Sequence, residues 1–262
     1  PFQDPIIPIQ AASMSIPARF RAFRIHGTAG QSWRAGLEEI SLDALSDGEV
    51  VIRAAWSSVN YKDALAGTGR GPILKKFPLN GGIDVAGTVA SSSSPHIKEG
   101  DEVLVTGCGL SETLDGGYSQ YVRVPASTVI WMPKGLTPRE AMIVGTAGYT
   151  AALALLRMER LGQRPEQGPI VITGASGGVG TIAIDLFTRA GYEVPAITGK
   201  LEEHLDFLTQ LGATQVVSRK NLHFGQRPLE KAIWAGALDG VGGEMLEGLT
   251  RFGWSPVYEG EN

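Results

Sequence analysis

A chain of 262 residues with 35 glycines, 43% hydrophobic residues and no strict Gly-X-Y period excludes a collagen-like fibre and an intrinsically disordered segment. The formal net charge of −4, with no long basic run, excludes a nucleic-acid footprint. The single cysteine, Cys108, leaves no intrachain disulfide and fits a reducing, cytoplasmic compartment.

Residues 1–13 lack the basic and apolar regions of a signal peptide, and Met14-Ser15-Ile16-Pro17 reads as a natural start. Residues 1–15 are therefore expected to be a non-native or disordered extension. The next stretch reads as β-rich. Phe20–His26 and Glu49–Val59 are apolar or β-branched runs, Gly87–Ala90 and Glu102–Val105 are shorter ones, and Asp115-Gly116-Gly117 turns into the alternating run Tyr118–Val124. Short, irregularly spaced strands predict a small barrel-like domain over 16–140.

The texture then changes. Thr137-Pro138-Arg139-Glu140 is a capping box with proline at the first helical position, opening an Ala/Leu-rich helix to about Arg157. No apolar run is expected to approach the ~20 residues of a membrane span, so no membrane partner is expected. From 141 to 262 strands and helices alternate. Pro169–Thr173 is a buried-type strand, followed by an apolar helix, a strand at Tyr192–Thr198, a helix at Leu201–Leu211 stopped by Gly212, and strands at Gln215–Val217 and Ala232–Leu238. This alternation predicts βαβ units on a parallel sheet, so the whole chain is of the α/β class.

Gly174-Ala175-Ser176-Gly177-Gly178-Val179-Gly180 lies between a strand and a helix. In that context glycines permit a tight turn, close approach of backbone N–H groups to a pyrophosphate, and close packing of helix on strand. The same residues match G-x-S-x-G, the nucleophile elbow of hydrolases, with Ser176 as nucleophile. That reading would require Asp185 or Asp206 and His204 or His223 as partners. It leaves Gly178 and Gly180 unexplained. The following strand ends in Thr198-Gly199-Lys200 rather than in the carboxylate usual for NAD, and a hydroxyl with an ammonium suits the 2′-phosphate of NADP(H). The bland alternative for Lys200 is a solvated lysine opening a helix. Cys108 and the scattered His26, His96, His204 and His223 have no metal-ligand spacing, so no metal is expected.

Several segments together resemble the zinc-independent medium-chain dehydrogenase/reductase family, in its acrylyl-CoA reductase (NADPH) and quinone oxidoreductase branch. They are Ser57–Leu65 with Asn60-Tyr61-Lys62-Asp63-Ala64, Gly82–Val89, Gly100–Val103, Asp115–Tyr118, Gly145–Ala151 and Thr173–Gly180. The likeness runs from about Ile16 to Arg251. It implies a GroES-like catalytic domain followed by a doubly wound Rossmann domain, and hydride transfer from NADPH to the β-carbon of an enoyl-CoA such as acrylyl-CoA. A quinone is the alternative substrate, and a non-catalytic NADP(H)-binding fragment the alternative from another class. It also implies that Tyr61 lies beside the nicotinamide. By the same likeness Thr146 joins the cofactor site, Ser176, Gly177, Gly178 and Val179 form the pyrophosphate turn, and Thr198, Gly199 and Lys200 meet the 2′-phosphate. Asn60 is then a candidate to orient the substrate carbonyl and Tyr61 to deliver a proton; the alternatives are a turn-former for Asn60 and a stacking surface for the nicotinamide for Tyr61. Asp63 and Asp84 are expected to be structural.

After Arg251 the sequence ends at Asn262, where members of the family continue with further Rossmann strands. The sheet is therefore expected to be incomplete at its C-terminal side, which would put weak NADPH binding, slow turnover and loss of the family's homodimer in prospect.

Overall fold

The computed structural model describes residues 15–28, 32–222 and 232–251. Residues 1–13, His223 and the segment after Arg251 lie outside the described residues. The chain divides into two compact units, Pro1–Thr146 and Ala147–Asn262. The division falls beside Gly145, whose φ of 47° and ψ of −158° interrupt a helix, rather than at residue 140.

The first unit carries β1 (Phe20–Thr28), β2 (Ser32–Ile40), β3 (Val50–Trp56), α1 (Tyr61–Thr68), β4 (Leu79–Asn80), β5 (Asp84–Ser92), β6 (Glu102–Thr106), β7 (Tyr121–Val124) and β8 (Ile130–Trp131). They form two antiparallel sheets, β2-β1-β4 and β7-β3-β5-β6-β8. Strand periodicity puts Val50 and Ile52 of β3 on the face that also receives Val85, Val89, Val103, Val105, Val122 and Val124. Each such side chain contributes roughly 1.5–3 kcal/mol by leaving water. The alternating run from Tyr118 is divided between the sheets. Tyr118 accepts from the Phe23 N–H, Ser119 bridges Ala22, Gln120 accepts from the Ala54 N–H, and only Tyr121–Val124 joins the ladder of β3.

A buried charge cluster ties this unit together. Arg24 Nη1 donates to Asp115 Oδ1 (3.1 Å) and Asn80 Oδ1 (2.9 Å), while Asp115 Oδ2 accepts from the N–H (2.7 Å) and hydroxyl (2.9 Å) of Ser46. Asp115, which the sequence marks only as a turn former, is thus a cross-link. Removing one partner of such a buried pair costs about 3–5 kcal/mol.

Helix α2 (Pro138–Arg160) begins at the capping box, with the Thr137 N–H (2.9 Å) and hydroxyl (2.7 Å) on Glu140 Oε2. Those bonds hold the exposed Glu140 carboxyl below its ordinary range. Contrary to the sequence expectation, α2 is long and apolar enough by composition to cross a membrane, with a mean hydropathy of 1.4 in its most apolar window. The break at Gly145 leaves residues 146–160 as its longer helical piece, short of the ~20 residues a span requires.

The second unit continues with β9 (Ile170–Thr173), α3 (Gly178–Arg189), β10 (Pro195–Thr198), α4 (Leu201–Gln210), β11 (Gln215–Ser218), β12 (Gly236–Leu238) and α5 (Gly243–Arg251). All three strand pairs are parallel, in the order β11-β10-β9-β12. In chain order this is 3-2-1-4, the first four places of the Rossmann order 3-2-1-4-5-6. Both faces are covered, as a parallel sheet requires. Ile170, Ile172 and Ala196 pack with Ala151 of α2, Ala183, Ile184 and Phe187 of α3, and Leu208 of α4. On the opposite face Val171 and Ile197 pack with Met245 and Leu249 of α5. The α/β, doubly wound reading of this half therefore holds.

Candidate active site

In the first unit the site grows from the loop between β3 and α1. Asn60 caps α1 from an extended backbone (φ −118°, ψ 157°), and Tyr61 is the first helical residue. The cap is made by Asp63, whose Oδ2 accepts the Asn60 N–H at 2.8 Å. The arrangement is a reciprocal capping box, with the Asn60 side chain facing the Asp63 backbone N–H, and it leaves the amide nitrogen for another partner. Its Nδ2 donates to Asp84 Oδ2 at 2.9 Å. Asp84, at the start of β5, is fully buried, and it also accepts from the Thr146 N–H (3.1 Å on Oδ2) and hydroxyl (2.6 Å on Oδ1). At Gly145 a Cβ would stand 2.5 Å from Ser58 Oγ and 3.0 Å from Asp84 Oδ2, so glycine is required where the chain passes this carboxylate. Two segments, 24 and 62 residues away in sequence, converge on this one carboxylate. The Asn60 amide is thereby held in a fixed orientation. The Tyr61 ring next to it is 80% exposed.

In the second unit the glycine cluster forms the turn between β9 and α3. Gly174 has φ +61° and closes β9, Gly177 caps α3, and a Cβ at Gly180 would meet the Gly174 carbonyl oxygen at 2.5 Å. Gly177 and Gly178 are exposed at the helix N-terminus, where N–H groups without intrahelical partners and the helix dipole favour an anion. The Val179 side chain packs on the core, so only its backbone is available there. Ser176 Oγ lies 3.1 Å from Thr198 Oγ1, which also accepts the Lys200 N–H at 3.1 Å. No histidine or carboxylate bonds Ser176 among the described residues, which leaves the hydrolase reading without a triad. His204, one of its candidate bases, sits on α4.

Beyond Thr198 lies a recess of about 400 Å³ lined by Gly199, Lys200, Leu201, Glu202, Glu203, Ser218, Lys220 and Asn221. Lys200 Nζ is 3.5 Å from Glu203 Oε2, an exposed pair. The Arg219 guanidinium carbon would be 3.9 Å from a Cβ at Gly199. Lys220 thus joins Lys200 in lining the recess, and Arg219 stands beside Gly199; both follow β11 and carry no motif in the sequence.

The segment 46–134 matches the family model described as alcohol dehydrogenase GroES-like domain. The protein from Escherichia coli K12 named "Probable acrylyl-CoA reductase AcuI" is 46% identical over 212 residues, covering 81% of this chain and 65% of its own. The YhfP protein of Bacillus subtilis 168, which carries a quinone oxidoreductase name, is 46% identical over 228 residues, 86% of this chain and 69% of its own. The crystal structure of E. coli K-12 YhdH with bound NADPH superposes with a TM-score of 0.83 at 43% identity, covering 88% of this chain and 70% of that one. The chain belongs to the medium-chain dehydrogenase/reductase family.

It spans 65% and 69% of the lengths of those two curated relatives. Within this family member, Cys108 is exposed in a loop where it and the flanking Gly107 and Gly109 all have positive φ. Among the described residues no group of three or more His, Cys, Asp or Glu side chains is placed to hold a metal ion. The hydrogen bonds of Asp84 and the place of Arg219 beside Gly199 had no local sequence signal. Asp84 meets partners 24 and 62 residues away.

Proposed function

We propose that the chain is an NADPH-dependent, zinc-independent reductase of an activated carbon–carbon double bond, with an enoyl thioester of the acrylyl-CoA class as substrate. The observation that carries this reading is the Asn60 amide, fixed by the buried Asp84 beside the exposed Tyr61. The residues present fit the cofactor. The turn at Gly174–Gly180 leaves room for a pyrophosphate against backbone N–H groups, and Thr198, Lys200 and Arg219 form a cationic end for a 2′-phosphate. Lys200 supplies a point charge where relatives often carry the fork of arginine, and Arg219 can supply that fork.

The chemistry the cofactor contributes when bound is a hydride, received by the substrate β-carbon. The π electrons of the double bond then move to the thioester oxygen. An Asn60 N–H aimed at that oxygen stabilises the charge as it develops, without having to reorganise. The Tyr61 hydroxyl delivers a proton to the α-carbon, completing the saturated thioester, and is reprotonated from water. Ser176, Gly177, Gly178 and Val179 bind through the turn, and Thr146 helps to hold Asp84 in place. The substrate in this reading is a small molecule.

A quinone is the second reading, favoured by the 46% identity to YhfP. An amide donor would hold a quinone carbonyl equally well. NADPH oxidation by this chain, followed with acrylyl-CoA and separately with a quinone, distinguishes them. Acrylyl-CoA is expected to give the larger kcat/KM by about tenfold or more, about 1.4 kcal/mol of transition-state preference. Turnover of the quinone alone would replace the thioester reading, and NADPH binding without turnover of either would leave a non-catalytic binding protein.

A further inference from the structure

We propose that Asp63 is a positioning residue for the Asn60 amide: its single buried carboxylate sets the separation of the two backbone segments that carry Asn60 and Asp84. This rests on the reading of Asn60 as the carbonyl donor, and it adds a residue that touches neither substrate nor cofactor.

Asp63 is the third residue of α1, a position where a carboxylate commonly caps its own helix and stays in water. Here it is buried, and it makes the cap with Oδ2 on the Asn60 N–H at 2.8 Å. Its other oxygen, Oδ1, accepts the N–H of Ile83 at 3.0 Å, the residue directly before Asp84. Oδ2 also accepts the Tyr118 hydroxyl at 3.2 Å. The same hydroxyl lies 2.9 Å from the carbonyl oxygen of Ser58, two residues before Asn60. The carboxylate therefore reaches both the backbone that presents the donor and the backbone that presents its tether, and Tyr118 secures the loop from behind. With residues 60 and 83 so fixed, Asn60 Nδ2 arrives 2.9 Å from Asp84 Oδ2.

The carboxylate is held there against its own preference. Burial raises the Asp63 carboxyl above its ordinary range, while the Asn60, Ile83 and Tyr118 donors act in the opposite direction. The Tyr118 hydroxyl is pushed up as well, by burial first and by the Asp63 charge second. Tyr118 therefore stays a neutral donor, and Asp63 needs acceptor oxygens on both sides.

Asparagine at position 63 has the same shape but turns an NH2 toward one of the two backbone N–H groups. The crystal structure of the Asp63→Asn variant is expected to show Asn60 Nδ2 moved out of hydrogen-bond reach of Asp84. Because displacements of about 1 Å in a reacting constellation cost up to ~100-fold, kcat with acrylyl-CoA is expected to fall by about 10- to 100-fold. The Kd for NADPH, titrated by its fluorescence, is expected to stay unchanged, since the glycine turn belongs to the other unit. Tyr118→Phe removes one of the three donors and is expected to lower kcat by several-fold, again with Kd for NADPH unchanged; it carries the test where Asp63→Asn does not fold. An Asp63→Asn protein that melts at lower temperature but keeps its kcat and its Asn60–Asp84 bond would overturn the proposal, as would a Tyr118→Phe protein with unaltered kcat. Absence of turnover by the wild-type chain would instead count against the thioester reading, and the Asn60–Asp84 distance in the variant would still decide the role of Asp63.

Discussion

The Gly180→Ala variant is expected to bind NADPH more than about tenfold more weakly and to destabilise the second unit by about 1–3 kcal/mol. A Cβ at this position would stand 2.5 Å from the Gly174 carbonyl oxygen and 2.7 Å from both Cα and the carbonyl oxygen of Ala175. All of these are backbone atoms, so relief requires α3 to move away from the end of β9. That movement shifts the N-terminus of α3, the group that would meet the pyrophosphate. Gly177→Ala makes the informative comparison. Its Cβ would lie 3.2 Å from the Gly174 carbonyl oxygen, a contact that small adjustments can relieve. It should leave the melting temperature nearly unchanged while placing a methyl group on the exposed helix end. Thermal unfolding and NADPH fluorescence titration of the two variants separate packing from binding. A Gly180→Ala protein with wild-type melting and wild-type NADPH affinity would contradict the account of the turn.

Asn60→Ala is expected to lower kcat with acrylyl-CoA by about 100-fold, the scale seen when a preorganised donor to a developing oxyanion is removed. The loss should appear in kcat and kcat/KM alike, because the donor acts when charge develops. The fold should tolerate the change. The Asp63 half of the capping box, its Oδ2 on the N–H of residue 60, survives the change, and Asp84 keeps the N–H and hydroxyl of Thr146. Losing one of three donors to a buried carboxylate costs about 1–3 kcal/mol, which thermal unfolding would register separately from kinetics. An unchanged kcat would reduce Asn60 to a tether for Asp84.

What was legible in the sequence follows from the range of the forces involved. The capping box at Thr137, the glycine cluster and the buried strand at Ile170–Thr173 are written in adjacent residues, because caps, tight turns and parallel strands are specified locally. β2 carried no such signal. Its residues include Arg34, Glu38 and Glu39, and the strand exists because it pairs with β1 along nine positions. α1 was equally hidden. Its eight residues include Gly67, and the Asp63 carboxylate that caps it owes its burial to Ile83 and Tyr118. In the site, Asn60 and Tyr61 were recognisable as a motif. The function of Asp84 was not, since a buried carboxylate is defined by partners that only the fold brings to it. Arg219 was missed for the same reason: it stands beside Gly199 because β11 pairs with β10 in parallel register, Thr198 opposite Ser218.

The proposed reaction is hydride delivery to the β-carbon of an enoyl thioester with a proton placed on the α-carbon. It is tested most directly by reducing acrylyl-CoA with this chain and NADPH deuterated at the transferring carbon of the nicotinamide, then locating the label in the product. Propionyl-CoA carrying deuterium on its β-carbon, with the α-carbon proton drawn from solvent, is the predicted result. Deuterium on the α-carbon, or labelled cofactor consumed without formation of propionyl-CoA, would contradict it.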